Sequence, residues 1–169
     1  MKAKNYRRPE GMPYARVEYI HGPPPTRIAK FTAGSYRDDY THELLLLPET
    51  NLQIRDVSLE SARVALNKQL TEKLGGNFYM ELKTHPHVVL RENKMIFGAH
   101  ADRLQEGMRR AFGKPVGRAA RVEKGQPVFR VLVYGDGVEK AREALQVAAK
   151  KLPKHYYIII NNIAPQKAG

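Results

Sequence analysis

The stretch that most restricts the fold is "VSLESARVALNKQLTEKLGGNFYMELK", residues 57–83, because its apolar period changes once, at a glycine pair. Leu59, Ala62, Leu66, Leu70 and Leu74 recur at steps of three and four, which lines one face of an α-helix, with Ser58 as the expected N-cap and Glu60 in the first turn. Gly75-Gly76 supplies the C-terminal stop. Directly beyond it, Phe78, Met80 and Leu82 alternate with Tyr79, Glu81 and Lys83, which predicts a half-buried strand. A helix with one apolar stripe, running into a half-buried strand, calls for a layered α+β structure.

The rest of the chain fits that frame. Short strands are expected at 26–32, 42–47 and 51–56, separated by Gly34, Asp38, Asp39 and Pro48, with further pieces at 88–90, 95–97 and 128–133. A second helix opens at Asp136, where Asp-x-x-Glu to Glu139 resembles a capping box. It continues through Val138, Ala141, Leu145, Ala148 and Leu152 to Pro153. Residues 156–160 read as a final buried strand. The expectation is α+β: a two-layer sandwich with a mainly antiparallel sheet, two packed helices and a long basic loop. At 169 residues this is one domain with a real core. It would run over 26–162 with a basic loop inserted at 98–118, preceded by an extended arm at 1–25 and followed by a flexible tail at 163–169. The arm holds "HGPPPT", which excludes helix, and it lacks the apolar residues to bury itself; it is expected to order only against a partner.

Charge says what kind of partner. The net charge is +12, and it is unevenly placed. Residues 1–30 carry seven basic and two acidic residues, 31–90 six and eight, 91–130 ten and four, and 131–169 six and three. Two strongly basic stretches beside a slightly acidic one describe a molecule with a polyanion-binding face, for which nucleic acid is the leading ligand and an anionic membrane the lesser one. No apolar run approaches the roughly 20 residues that span a bilayer, and the basic N-terminus has no apolar region of a secretory signal behind it. With no cysteine there is neither a disulfide nor a thiolate metal site.

The second basic stretch contains "ADRLQEGMRRAFGKPVGRAARV", residues 101–122. As a phosphate-binding loop it fails twice: five residues rather than four separate Gly107 from Gly113, and Pro115 stands where the hydroxyl residue belongs. His85, His87, His100 and Asp102 invite a metal, but Pro86 interrupts the pair and the HExxH spacing is missing, so hydrogen-bonded or solvated histidines are expected and no metal or cofactor. No Cys nucleophile, no G-x-S-x-G elbow and no carboxylate pair supports catalysis. RNA binding uses what is abundant: arginines for phosphates and bases, with Gly107, Gly113 and Gly117 allowing close approach. The plain alternative is a solvent-exposed helix over 102–112 with Leu104, Met108 and Phe112 as its buried stripe.

The segments "HPHVVLRENKM", "ADRLQEGMRRAFGKPVGRAARV" and "KGQ" resemble the signature of the universal large-subunit ribosomal protein family L-sixteen, whose archaeal and eukaryotic branch is called L-ten-e or the QM protein. The match is strongest over 85–126. The chain ends at Gly169, short of the C-terminal extension of eukaryotic members, which points to the archaeal branch. The resemblance implies an α/β-hammerhead sandwich and a cytoplasmic protein of the large ribosomal subunit. Such a protein binds large-subunit rRNA beside the aminoacyl-tRNA path, with a mobile basic loop reaching towards tRNA and the peptidyl-transferase region. It implies no catalysis of its own, since peptide-bond chemistry belongs to the RNA. Implied partners are rRNA, tRNA and neighbouring ribosomal proteins, with no membrane and no homo-oligomer. Carried onto this sequence, the loop is 101–114, with Arg103, Arg109, Arg110 and Lys114 as charged contacts. Arg7, Arg8, Arg16, Arg27, Arg91, Lys94, Arg118 and Arg121 complete the candidate RNA-binding set. A stand-alone basic RNA-binding factor or RNA-modifying enzyme using the same face is the other reading of the residues.

Overall fold

The computed structural model describes residues 1–9, 11–12, 17–94, 109 and 111–163. Eight strands and two longer helices alternate in the order β1 (Thr32–Gly34), β2 (His42–Pro48), β3 (Leu52–Arg55), α1 (Asp56–Leu74), β4 (Phe78–Leu82), β5 (Val88–Glu92), β6 (Lys114–Val122), β7 (Phe129–Val133), α2 (Val138–Ala149) and β8 (Tyr156–Asn162). They form two antiparallel sheets: five strands in the order β1-β4-β7-β2-β8, and three in the order β3-β6-β5. The α+β class and the pair of packed helices agree with the sequence; the second sheet is an addition to the single one expected.

Both sheets feed one core. In the larger sheet Met80, Val131 and Leu44 lie side by side across three strands, as do Leu82, Phe129 and Leu46, and all six are buried. In the smaller sheet the paired rows Leu52 with Val122 and Ile54 with Ala120 join the same cluster. Leu59, Ala62, Leu66 and Leu70 of α1 close it from above, beside the alanine-rich face of α2 formed by Ala141, Ala144, Leu145 and Ala148. Small side chains on that face let the two helices approach closely.

Helix α1 begins at Asp56, two residues before the expected cap. The Asp56 carboxylate accepts from the Val57 amide at 2.8 Å and, from far along the chain, from the Arg27 amide at 3.1 Å. It ends as foreseen: Gly75 sits at φ 62°, a left-handed conformation that costs glycine little, and its amide donates to the Thr71 carbonyl.

Four expectations need correction. The segment 26–32 is strand only from Thr32. Residues 114–118 are not loop but the start of β6, the central strand of the smaller sheet. Strand β8 is not buried: it lies at the edge of its sheet, Tyr156 and Ile158 touch the core, and Ile159 and Ile160 remain 38% and 42% exposed. Ile163, assigned to the tail, donates its amide to the Thr41 carbonyl at 2.8 Å. The expected strand at 95–97 and residues 164–169 lie outside the described residues.

Candidate nucleic-acid interface

The interface is built around the three-stranded sheet. From Gly117 onward strand β6 has no polar face to give to water, because both of its faces are covered there. Ala120 and Val122 enter the core, and on the opposite face the N-terminal segment lies across Gln53, Arg55 and Arg121. At the free edge of β3 the Gln53 amide donates to the Arg7 carbonyl at 2.9 Å, while the Gln53 side chain donates to the Tyr6 carbonyl at 3.0 Å. The Arg55 guanidinium stands 5.8 Å over the Tyr6 ring. Arg121 donates to the Gly11 carbonyl at 2.5 Å and Arg118 to the Pro24 carbonyl at 2.7 Å. The described part of the arm therefore docks on the body without any partner, contrary to the expectation that it orders only against one. A bare strand edge presents unpaired amides, and the arm satisfies them. Nor is the arm extended throughout: Ala3–Asn5 and Val17–Tyr19 are 3-10 turns.

The candidate residues divide into two groups. Arg8, Arg27, Lys94, Arg109 and Lys114 are exposed, and among the described residues none of them forms a salt bridge. Arg7, Arg91, Arg118 and Arg121 are half-buried, and the last three donate to backbone carbonyls. A guanidinium carries five N–H donors, so one carbonyl contact does not exhaust Arg118 or Arg121 as phosphate ligands. Arg16, Arg103 and Arg110 lie outside the described residues, as do most of the loop at 101–114 and most of the alternative helix at 102–112.

The charges on the larger sheet are arranged differently. Across the outer face of the larger sheet, Arg130 contacts Glu43 at 2.5 Å and Glu81 at 3.6 Å, Lys83 contacts Glu81 at 3.1 Å, and Asn161 donates to Glu43 at 3.2 Å. That face is internally neutralised. The histidine pair is equally self-contained: the His85 ring lies 5.4 Å from Phe31, and His87 Nδ1 is hydrogen-bonded to the His85 carbonyl at 3.1 Å. Among the described residues no group of three or more His, Asp or Glu side chains could hold a metal ion, and no helix is long and apolar enough to cross a membrane.

Comparison with known proteins gives this basic face its context. The family model described as ribosomal protein L16p/L10e matches residues 1–159. The chain belongs to that family. Proteins named large ribosomal subunit protein uL16 share 51% identity in Hyperthermus butylicus (85% of this chain, 80% of the relative), 47% in Methanoculleus marisnigri (89% of each) and 46% in Sulfolobus acidocaldarius (97% and 95%). These archaeal relatives place the chain in the archaeal and eukaryotic branch of the L16p/L10e family. The match takes in the N-terminal segment and strands of both sheets. Arg55 was missed by sequence reasoning. Its signal was present, since Leu52 and Ile54 alternate with Gln53 and Arg55, but a polar position on a short strand reads as solvent-facing unless the arm is known to cover it.

Proposed function

We propose that the chain is a structural constituent of the large ribosomal subunit that binds large-subunit rRNA near the aminoacyl-tRNA path and helps position tRNA. As a member of the L16p/L10e family it is a ribosomal protein and not an enzyme. The observation that carries the rest is the family match over residues 1–159, with relatives named as large-subunit proteins along nearly their whole length. The surface chemistry supports it. Arg8, Arg27, Lys94, Arg109 and Lys114 form an exposed set with no ion pair among the described residues, as phosphates require, and each neutralised phosphate adds about 0.9 to the salt slope of binding to duplex nucleic acid. Arg7, Arg16, Arg103, Arg110, Arg118 and Arg121 remain in the proposed contact set. Neighbouring ribosomal proteins and tRNA are the further partners, and the segment around 101–114 is the part assigned to tRNA. The test is sedimentation of the tagged protein from cell extract through a sucrose gradient. Migration with large-subunit particles that survives a wash at moderate salt is expected; recovery only at the top of the gradient would remove the proposal.

A further inference from the structure

Arg91 is one of the candidate RNA contacts. Its geometry is that of a clamp instead. Strands β5 and β6 are the two roots of the segment 93–113, and their ladder runs out to the pair Glu92 with Lys114. At that point Arg91 does two things to one residue. Its guanidinium carbon lies 3.4 Å above the centre of the Phe112 ring, and its Nη1 donates to the Phe112 backbone carbonyl. A planar guanidinium can present its face to a ring and its edge to a carbonyl together; an ammonium cannot. Next to Phe112, Gly113 lies at φ 71°, and a Cβ there would fall 2.6 Å from the backbone of Glu92 and Asn93. The returning chain is thus pressed onto the end of β5 at Gly113 and pinned one residue further out by Arg91.

The geometry points to Arg91 as a positioning residue: it fixes the direction in which the segment between the two roots leaves the body, through Phe112, rather than serving as a phosphate contact. Phe112 supports this assignment by its own exposure. At 50% exposed it is not held by the core, and among the described residues the stacked guanidinium is a contact that orients it. The inference rests on the proposed tRNA role for its consequence, but the clamp itself can be read in the isolated protein.

The chain has no cysteine, so spin labels can be placed at Ala111→Cys and Lys140→Cys, both exposed positions, on the full-length protein. A single narrow interspin distance is expected in the parent. Arg91→Lys, which keeps the charge, should broaden or split it, Phe112→Ala should do the same without any charge change, and Phe112→Tyr, which keeps the ring, should restore it. An unchanged distribution in Arg91→Lys would overturn the assignment. So would a loss of about one unit of salt slope in Arg91→Gln that Arg91→Lys recovers, because that is the behaviour of a phosphate contact. In reconstituted large subunits, tRNA accommodation should fall roughly tenfold or more in Arg91→Lys, with normal incorporation. If Arg91→Lys accommodates tRNA normally while a Gly-Ser replacement of 101–108 does not, the positioning role is wrong. If both accommodate tRNA normally, the tRNA reading falls and the clamp in the free protein stands.

Discussion

On the outer face of the five-stranded sheet Arg130 lies between Glu43 and Glu81, whereas around the three-stranded sheet the arginines that are engaged reach backbone carbonyls at Pro24, Gly11 and Phe112. The difference lies in what each sheet does with its charge. In the first, acids and bases cancel within the sheet and leave nothing for a polyanion. In the second, Arg118 and Arg121 tie down the arm through neutral acceptors and form no salt bridge among the described residues, so their positive charge is left to act on whatever lies outside. A carboxylate partner at Arg118 or Arg121 would hold the arm equally well but would offset the charge that RNA needs. Both sheets build the core, and the smaller one also supplies the field.

That division can be broken experimentally. The largest effect on folding is expected in the larger sheet: Phe129 is fully buried between Leu82 and Leu46, and Phe129→Ala should cost about 3–5 kcal/mol in chemical denaturation while leaving the salt slope of RNA binding unchanged for the molecules that remain folded. A changed slope would mean that the two layers are not separable.

A smaller effect is expected at the Glu60–Arg63 pair on α1. Hydrogen bonds from Arg63 at 2.8 and 2.6 Å hold the Glu60 carboxyl below the usual carboxylate range, chiefly through those bonds and further through the coulombic attraction and the Ala29 amide, against an opposing push from burial. Because the folded pKa is depressed, the stabilisation is fully present above the unfolded value near 4.5 and is lost as pH falls through the folded value. Both groups keep contact with water, so the gain is limited to about 1 kcal/mol or less. Glu60→Gln should remove that acid-side loss and leave stability at pH 5 or below more nearly flat than in the parent.

Smaller again, and of opposite sign, is Tyr156→Phe. Its hydroxyl is buried with no hydrogen-bond partner among the described residues, and burial pushes its pKa up. Deleting an unsatisfied polar atom should be neutral or stabilising by up to about 1 kcal/mol in a thermal melt. A clear destabilisation would show that the hydroxyl is satisfied in solution.

The smallest effect on stability belongs to the basic surface. Replacing Arg8, Arg27, Lys94 and Lys114 together by Gln should shift stability by no more than about 0.5 kcal/mol per site, yet lower the salt slope of rRNA binding by up to roughly 4 and weaken cognate and non-cognate RNA alike. Loss confined to cognate RNA would make these residues readers of sequence rather than of phosphate.

The same contrast explains what could be read from the sequence. Strand β4 and helix α1 were legible because each is buried on one side only: the run Phe78–Leu82 alternates buried and half-buried, and α1 buries one stripe. Strand β6 was not legible: its first residues, 114–118, fall within the expected basic loop, and from Gly117 on its two covered faces erase that alternation. Gly117 and Ala119 are buried under the arm's side and Ala120 and Val122 in the core, while Arg118 and Arg121 fall on opposite faces. Strand β8 misled in the other direction, since a run of three isoleucines says nothing about which strand lacks a neighbour. At the early start of α1 the Asp56 carboxylate accepts from the Arg27 amide, 29 residues away, a contact that no local pattern encodes. Of the candidate site, the exposed bases were legible from charge placement together with the family resemblance; the turn of Arg91 onto Phe112 was not, because it is made between the two roots of the segment 93–113.

The central claim is that the body carries attachment and the segment beyond the root carries the action on tRNA. It is tested most directly by replacing residues 101–108 with a Gly-Ser linker of equal length, which leaves Arg91, Phe112, Gly113 and both sheets untouched, and by measuring aminoacyl-tRNA accommodation on large subunits reconstituted with the variant. The expected result is a melting midpoint and incorporation stoichiometry close to those of the parent, with poor accommodation. Normal accommodation with the linker in place would contradict the account.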